Sequence, residues 1–120
     1  MSKYVDGFVI PIKKKNIMAY KKMAIIGCKI WMEHGALDYY ECEGDELNHP
    51  WGMPFKKFAK LKPDETVIFA FIVYKSKAHR NKVNKLVMKD PRMSPEQFKV
   101  MPFDMKRFSM GGFKVLVEPK

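Results

Sequence analysis

The run TVIFAFIVY, Thr66 to Tyr74, decides how this chain folds. Nearly every residue in it is β-branched or aromatic, the composition of a strand. Its apolar core, Val67 to Tyr74, is far shorter than the roughly 20 residues a membrane-spanning helix needs. In a strand, alternate side chains point to opposite faces. Val67, Phe69, Phe71 and Val73 therefore share one face, and Ile68, Ala70, Ile72 and Tyr74 the other. Both faces are apolar, so the strand belongs at the centre of a sheet that is covered twice.

Working outward, Ser76 is placed to cap a helix running to about Lys89, with Val83, Leu86 and Val87 inward and Asp90-Pro91 as its stop. Upstream, Lys3 to Ile12 reads as a strand closed by Pro11 and a lysine run. From Lys15 the period changes. Ile17, Tyr20, Ala24, Cys28 and Trp31 recur at three- and four-residue spacing on one helical face. Asn16 is the expected N-cap and Gly35 the C-cap glycine of a helix from Asn16 to His34. Leu37 to Gly44 has strand character. The stretch DELNHPWGMPFKKFAKLKPDE, 45–65, has no sustained period and reads as a long connection. SPEQF, 94–98, suggests a short extra turn, and Arg107 to Glu118 is the last strand. The order strand, helix, strand, strand, helix, strand predicts an α+β, ferredoxin-like split βαβ protomer with a four-stranded antiparallel sheet. Helices can cover one face of such a sheet. A second copy of the same sheet is the economical cover for the other, which predicts a homodimer, sheet packed on sheet.

The glycine pair in MPFDMKRFSMGGFKVLV, 101–117, raises a separate question. A phosphate cradle needs glycines that open a helix, and here a strand follows. The expectation is a β-bulge in an edge strand.

Composition narrows the function. The 120 residues suit a single domain, 1–120, and 47% apolar content excludes disorder. The N-terminus lacks the features of a signal peptide, so a cytoplasmic location is expected, with no membrane association. The net charge of +10 comes from lysines spread over loops and both helices. They form a solvated surface rather than a specific nucleic-acid site. Two cysteines, Cys28 and Cys42, build neither a disulfide framework nor a zinc site, and no pair of histidines has metal-ligand spacing. No cofactor is expected.

Several stretches together carry a family resemblance: YVDGFVIPI (4–12), EHGAL (33–37), LKPDETVIFAFIVYKSKAHR (61–80), KDPRM (89–93) and 101–117. They resemble the uncharacterised YbaA-like family of small bacterial proteins, a family of unknown function in the dimeric α+β barrel superfamily. The resemblance implies a ferredoxin-like protomer and a barrel closed by two sheets. It implies no catalytic residues.

Strand parity selects the candidate site. Tyr4, Asp6 and Phe8 share one face of the first strand, and Val5, Gly7 and Val9 the other. The small set suits packing under helices, which would turn Asp6 and Phe8 toward the barrel interior with Phe69 and Phe71. A carboxylate among aromatics can act as a base. Its structural reading is an ion pair with Arg107 or a lysine. His79, on the inward stripe of the second helix, is a candidate proton carrier or a hydrogen-bonded structural residue. His34 suits the end of the first helix, as a cap. Only three arginines occur, Arg80, Arg92 and Arg107. Asp6, Asp90 and Asp104 are their expected partners, and Arg107 is a candidate anchor for an anionic ligand. Trp51, Met53 and Phe55, with Met101, Phe103, Phe108 and Met110, suggest a pliable apolar lining or a dimer interface. Three functions follow. One is a module that binds a small apolar or aromatic ligand between sheet and loop. The others are a cofactor-independent enzyme of monooxygenase type using Asp6 or His79, and an interaction protein with a filled barrel.

Overall fold

The computed structural model describes residues 2–120. Its elements are β1 (Tyr4–Lys13), α1 (Ile17–Glu33), β2 (Asp38–Glu43), α2 (Phe55–Phe58), β3 (Glu65–Tyr74), α3 (Lys77–Met88) and β4 (Ser109–Lys114). Short 3-10 turns precede α1 and follow α3. The sheet order is β2-β3-β1-β4, every neighbouring pair antiparallel. The TVIFAFIVY strand is central, as its composition requires. The one unforeseen helix is α2, four residues inside the long connection and too short to show a period.

Two helix ends are set by local signals. The Ser76 hydroxyl accepts from the His79 N–H at 3.1 Å, capping α3. Gly35 follows α1 with φ of +112°, a left-handed conformation that glycine adopts without strain. Asn16 stands at the N-cap position, but its amide donates to the Pro102 carbonyl at 3.1 Å instead of capping. Nor does the His34 ring cap α1; it shares a hydrogen bond with Asp90 at 2.8 Å.

The register reveals two different faces. Tyr4, Asp6, Phe8 and Ile10 lie opposite Tyr74, Ile72, Ala70 and Ile68, and this set faces the helices. Val5, Gly7 and Val9 lie opposite Val73, Phe71 and Phe69, on the face without helices. The expected parity is thus reversed. Large side chains of β1 pack under the helices, while the small set leaves room for aromatics from β3 and β4. Phe69, Tyr40 and Phe113 stand 45, 53 and 59% exposed on this open face. The Tyr40 and Phe71 rings lie 5.3 Å apart, and Phe69 and Phe71 5.9 Å.

The glycine pair carries no bulge, because β1 and β4 pair one to one from Tyr4–Lys114 to Val9–Ser109. Its role is close approach on both faces. A Cβ at Gly111 would touch the Phe113 ring on the open face, and one at Gly112 would run into the Tyr4 ring on the helix face.

Buried side chains form two clusters on the helix side. Ile30, Ala36, Ile72, Tyr74, Val83 and Val87 form one; Ile10, Ile12, Tyr20, Ile68 and Ala70 form the other. Burying Val83 and Val87 alone contributes about 3–6 kcal/mol of transfer free energy. Phe8 packs against both clusters, and the space between them is not filled.

Candidate functional site

Between the clusters lies a cavity of about 850 Å³. Small residues create it. Ala24 and Gly27 on α1 and Ala70 on β3 all line it, where larger side chains would have closed the gap. The rest of the wall is apolar or aromatic, with Phe8, Trp31, Ile72, Met23 and Met93 among its members. Ile26, Met88, Met105 and Met110 both line the cavity and are exposed, so its mouth has apolar lips.

The roof is the connection between α3 and β4, which contributes Met101, Phe103, Met105 and Phe108. It is pinned at both ends by arginine forks. At one end Arg92 donates to Asp90 at 2.7 and 2.9 Å and to Glu33 of α1 at 3.2 and 3.3 Å. At the other, Arg107 donates to both oxygens of Glu65, at 2.6 and 2.9 Å, and to the Lys60 carbonyl at 2.9 Å. The Asn16–Pro102 bond ties down the middle. Bidentate geometry is what a guanidinium offers and an ammonium cannot, which explains arginine at these two positions in a chain so rich in lysine. The Arg107 hydrogen bonds hold the Glu65 carboxyl down at about 2. Arg92, with His34, holds the Asp90 carboxyl well below its ordinary value. Arg107 is spent on the roof hinge and is not among the cavity-lining residues.

Two carboxylates interrupt the apolar wall. Asp6 is only 2% exposed. Its partner is Arg80, whose Nη1 lies 3.6 Å from Oδ1, not Arg107. Neither Asp6 Oδ1 nor Arg80 Nε finds a hydrogen-bond partner among the described residues. The Arg80 guanidinium also lies 4.9 Å over the Tyr4 ring and donates to the Tyr4 hydroxyl at 3.3 Å. The second carboxylate is Glu41, on the helix-facing side of β2. Each of its oxygens accepts a tyrosine hydroxyl at 2.7 Å, from Tyr20 and from Tyr39. Gly27 makes this arrangement fit, since a Cβ there would lie 3.1 Å from the Tyr39 hydroxyl. Burial, and then the adjoining Glu41 charge, push both phenols above their ordinary pKa, so they remain donors at physiological pH. Tyr74 is raised likewise, by burial and then by the charge of Asp6. Asn84 completes the polar end, accepting from Trp31 at 3.0 Å and Tyr74 at 3.3 Å.

The expected site residues therefore separate. Asp6 and Phe8 line the cavity, on the helix side of the sheet. Phe69 and Phe71 lie on the opposite face. His79 is outside the lining; its Nδ1 accepts from the Lys75 N–H at 2.9 Å and its ring meets Tyr74 edge-on. Trp51 is 83% exposed on the long connection, stacked edge-on with His49. Glu41, Tyr20 and Tyr39 carry the polar centre, and only the period-2 placement of Tyr39 and Glu41 in DYYECE hints at it. Among the described residues no group of three or more His, Cys, Asp or Glu side chains is placed to hold a metal ion, and no helix is long and apolar enough to cross a membrane.

Comparison with known proteins places the chain among relatives of similar size. Residues 3–105 match the model of a family described as a protein of unknown function, DUF1428. The uncharacterized protein YbaA of Escherichia coli K12 is 37% identical over 116 residues, spanning 97% of this chain and 98% of that one. YbaA of Shigella flexneri matches equally. A dimeric ferredoxin-like protein from an uncultured marine organism, known from a crystal structure, superposes with a TM-score of 0.65 at 14% identity. The match covers 99% of this chain and 100% of that one. This likeness supports the ferredoxin-like fold.

Proposed function

Because the chain belongs to the DUF1428 family of proteins of unknown function, we propose its role from its own geometry: a homodimeric binding protein that holds a small apolar or aromatic molecule beneath its helices. The cavity carries this reading. At about 850 Å³ it falls within the roughly 300–1,000 Å³ of small-molecule sites, and like them it is apolar with few polar groups. Small residues on facing elements keep it open, and a pinned roof covers one side of it. Asp6, Phe8 and Glu41 are its binding residues.

The dimer rests on the open sheet face. Three aromatics a half or so exposed on one sheet are a contiguous apolar patch of the kind that marks an interface. The similar marine protein is itself described as dimeric. A second copy of this sheet buries Phe69, Phe71 and Phe113 and closes a barrel, so those aromatics serve assembly while the ligand sits on the other side. The two cysteines are free, in keeping with a reducing, cytoplasmic setting. Binding is favoured over catalysis because His79 lies outside the cavity and Asp6 faces the Arg80 guanidinium at 3.6 Å, which offers no proton-transfer partner.

Native mass spectrometry of freshly purified protein tests both halves. The expected result is a dimer that carries small-molecule mass, lost when Ala70→Phe fills the cavity. A monomer at micromolar concentration overturns the dimer. A dimer that takes up no apolar probe overturns the binding role.

A further inference from the structure

The ligand's chemistry can be narrowed by a charge anomaly. The chain carries 23 lysines and arginines and a net charge of +10. Yet no lysine, arginine or histidine lines the large cavity among the described residues; its only acidic or basic side chains other than tyrosine are the carboxylic Asp6 and Glu41. Asp6 is partly offset by Arg80 at 3.6 Å. Glu41 has no cationic side chain within 4.0 Å among the described residues, being held only by two neutral hydroxyls. Lys21 borders a neighbouring groove of about 410 Å³ that Glu41 and Glu43 also border, without reaching Glu41.

We propose that the cavity takes an organic cation: an apolar or aromatic body carrying an amine or quaternary ammonium group, its charge seated beside Glu41 against the surrounding rings. This rests on the cavity-binding reading above. A carboxylate offers about four acceptor directions, and the two tyrosines use one on each oxygen, so Glu41 can still accept from an ammonium. A neutral ligand that displaces water leaves that charge desolvated with no counter-charge, which is costly. An anion adds repulsion in a low dielectric. A cation relieves both, and the aromatic rings of Trp31, Tyr20, Tyr39 and Phe8 in the same lining offer cation–π partners. Asp6, with one buried oxygen lacking a donor, adds negative potential at the same cavity.

Three matched probes decide the matter by isothermal titration calorimetry on the full chain: 2-(1-naphthyl)ethylamine, 2-(1-naphthyl)ethanol and 1-naphthylacetate at neutral pH. The amine is expected to bind at least tenfold more tightly than the alcohol, and the carboxylate more weakly than both. This order runs against the +10 surface, so bulk attraction cannot produce it. Glu41→Gln should abolish the amine's advantage over the alcohol, whatever it does to the affinity of either; Asp6→Asn should reduce that advantage more weakly. Circular dichroism identifies any variant that fails to fold, and the wild-type probe order decides without either variant. Equal binding of amine and alcohol, or tightest binding of the carboxylate, overturns the cation assignment while leaving the cavity reading in place. Failure of all three probes to bind overturns both.

Discussion

Gly112 offers the sharpest test of the packing that fixes β4 against β1. Gly112 pairs with Asp6, so its missing side chain would point to the helix face. An ideal Cβ there lies 2.8 Å from two atoms of the Tyr4 ring, closer than real Cβ contacts allow. Tyr4 cannot simply swing away, because its ring is buried beneath the Arg80 guanidinium and its hydroxyl accepts from Arg80. Gly112→Ala therefore either bends β4 or displaces Tyr4. Overpacking of this kind costs about 1–3 kcal/mol. With an unfolding entropy near 2.1 cal/mol/K per residue, the chain length implies about 4 °C of Tm per kcal/mol. A fall in Tm of about 4–12 °C should follow, read by calorimetry at one fixed protein concentration because the Tm of the proposed dimer would depend on it. In a Tyr4→Ala background the clash disappears, so adding Gly112→Ala should cost nothing further. Were the glycine substitution equally harmful in both backgrounds, or harmless in wild type, the close-approach explanation would be wrong.

Three other outcomes follow from the same contacts. Glu65 titrates near 2 in the folded protein, below its ordinary carboxylate value. Its pairing with Arg107 therefore stabilises the fold above the unfolded pKa of about 4.3 and is lost as pH falls toward 2. A Tm-versus-pH series should decline through that window, and Glu65→Gln should flatten the decline. Ser76→Ala removes the α3 cap and should cost about 1 kcal/mol, or about 4 °C, in a thermal melt. Phe69→Lys places a charge in the middle of the open face; if the proposed dimer packs there, sedimentation should then show a monomer with an unchanged circular dichroism spectrum.

The elements themselves were legible because their signals are local. Period and composition locate β3 and both long helices within a residue or two, and Ser76 and Gly35 mark helix ends through interactions spanning only a few residues. A two-faced apolar strand also requires cover on both sides, which forecasts the central place of β3. What remained hidden depends on partners distant in the chain. Side-chain size does not tell which face of β1 meets the helices: Gly7 gives room to the Phe113 ring on the open face, where Val5 and Val9 share its side of the strand. Asp6 finds Arg80, and Glu65 finds Arg107, across separations of 74 and 42 residues. Gly112 relieves crowding from Tyr4, at the other end of the chain. The cavity is the plainest case. Ala24, Gly27 and Ala70 are unremarkable residues in their own segments, and they make a void only because the fold sets them facing one another. Sequence alone determined which segments are strands and helices, since that is a matter of neighbouring residues. Tertiary structure decided faces, pairings and empty space, because each is a property of two surfaces brought together.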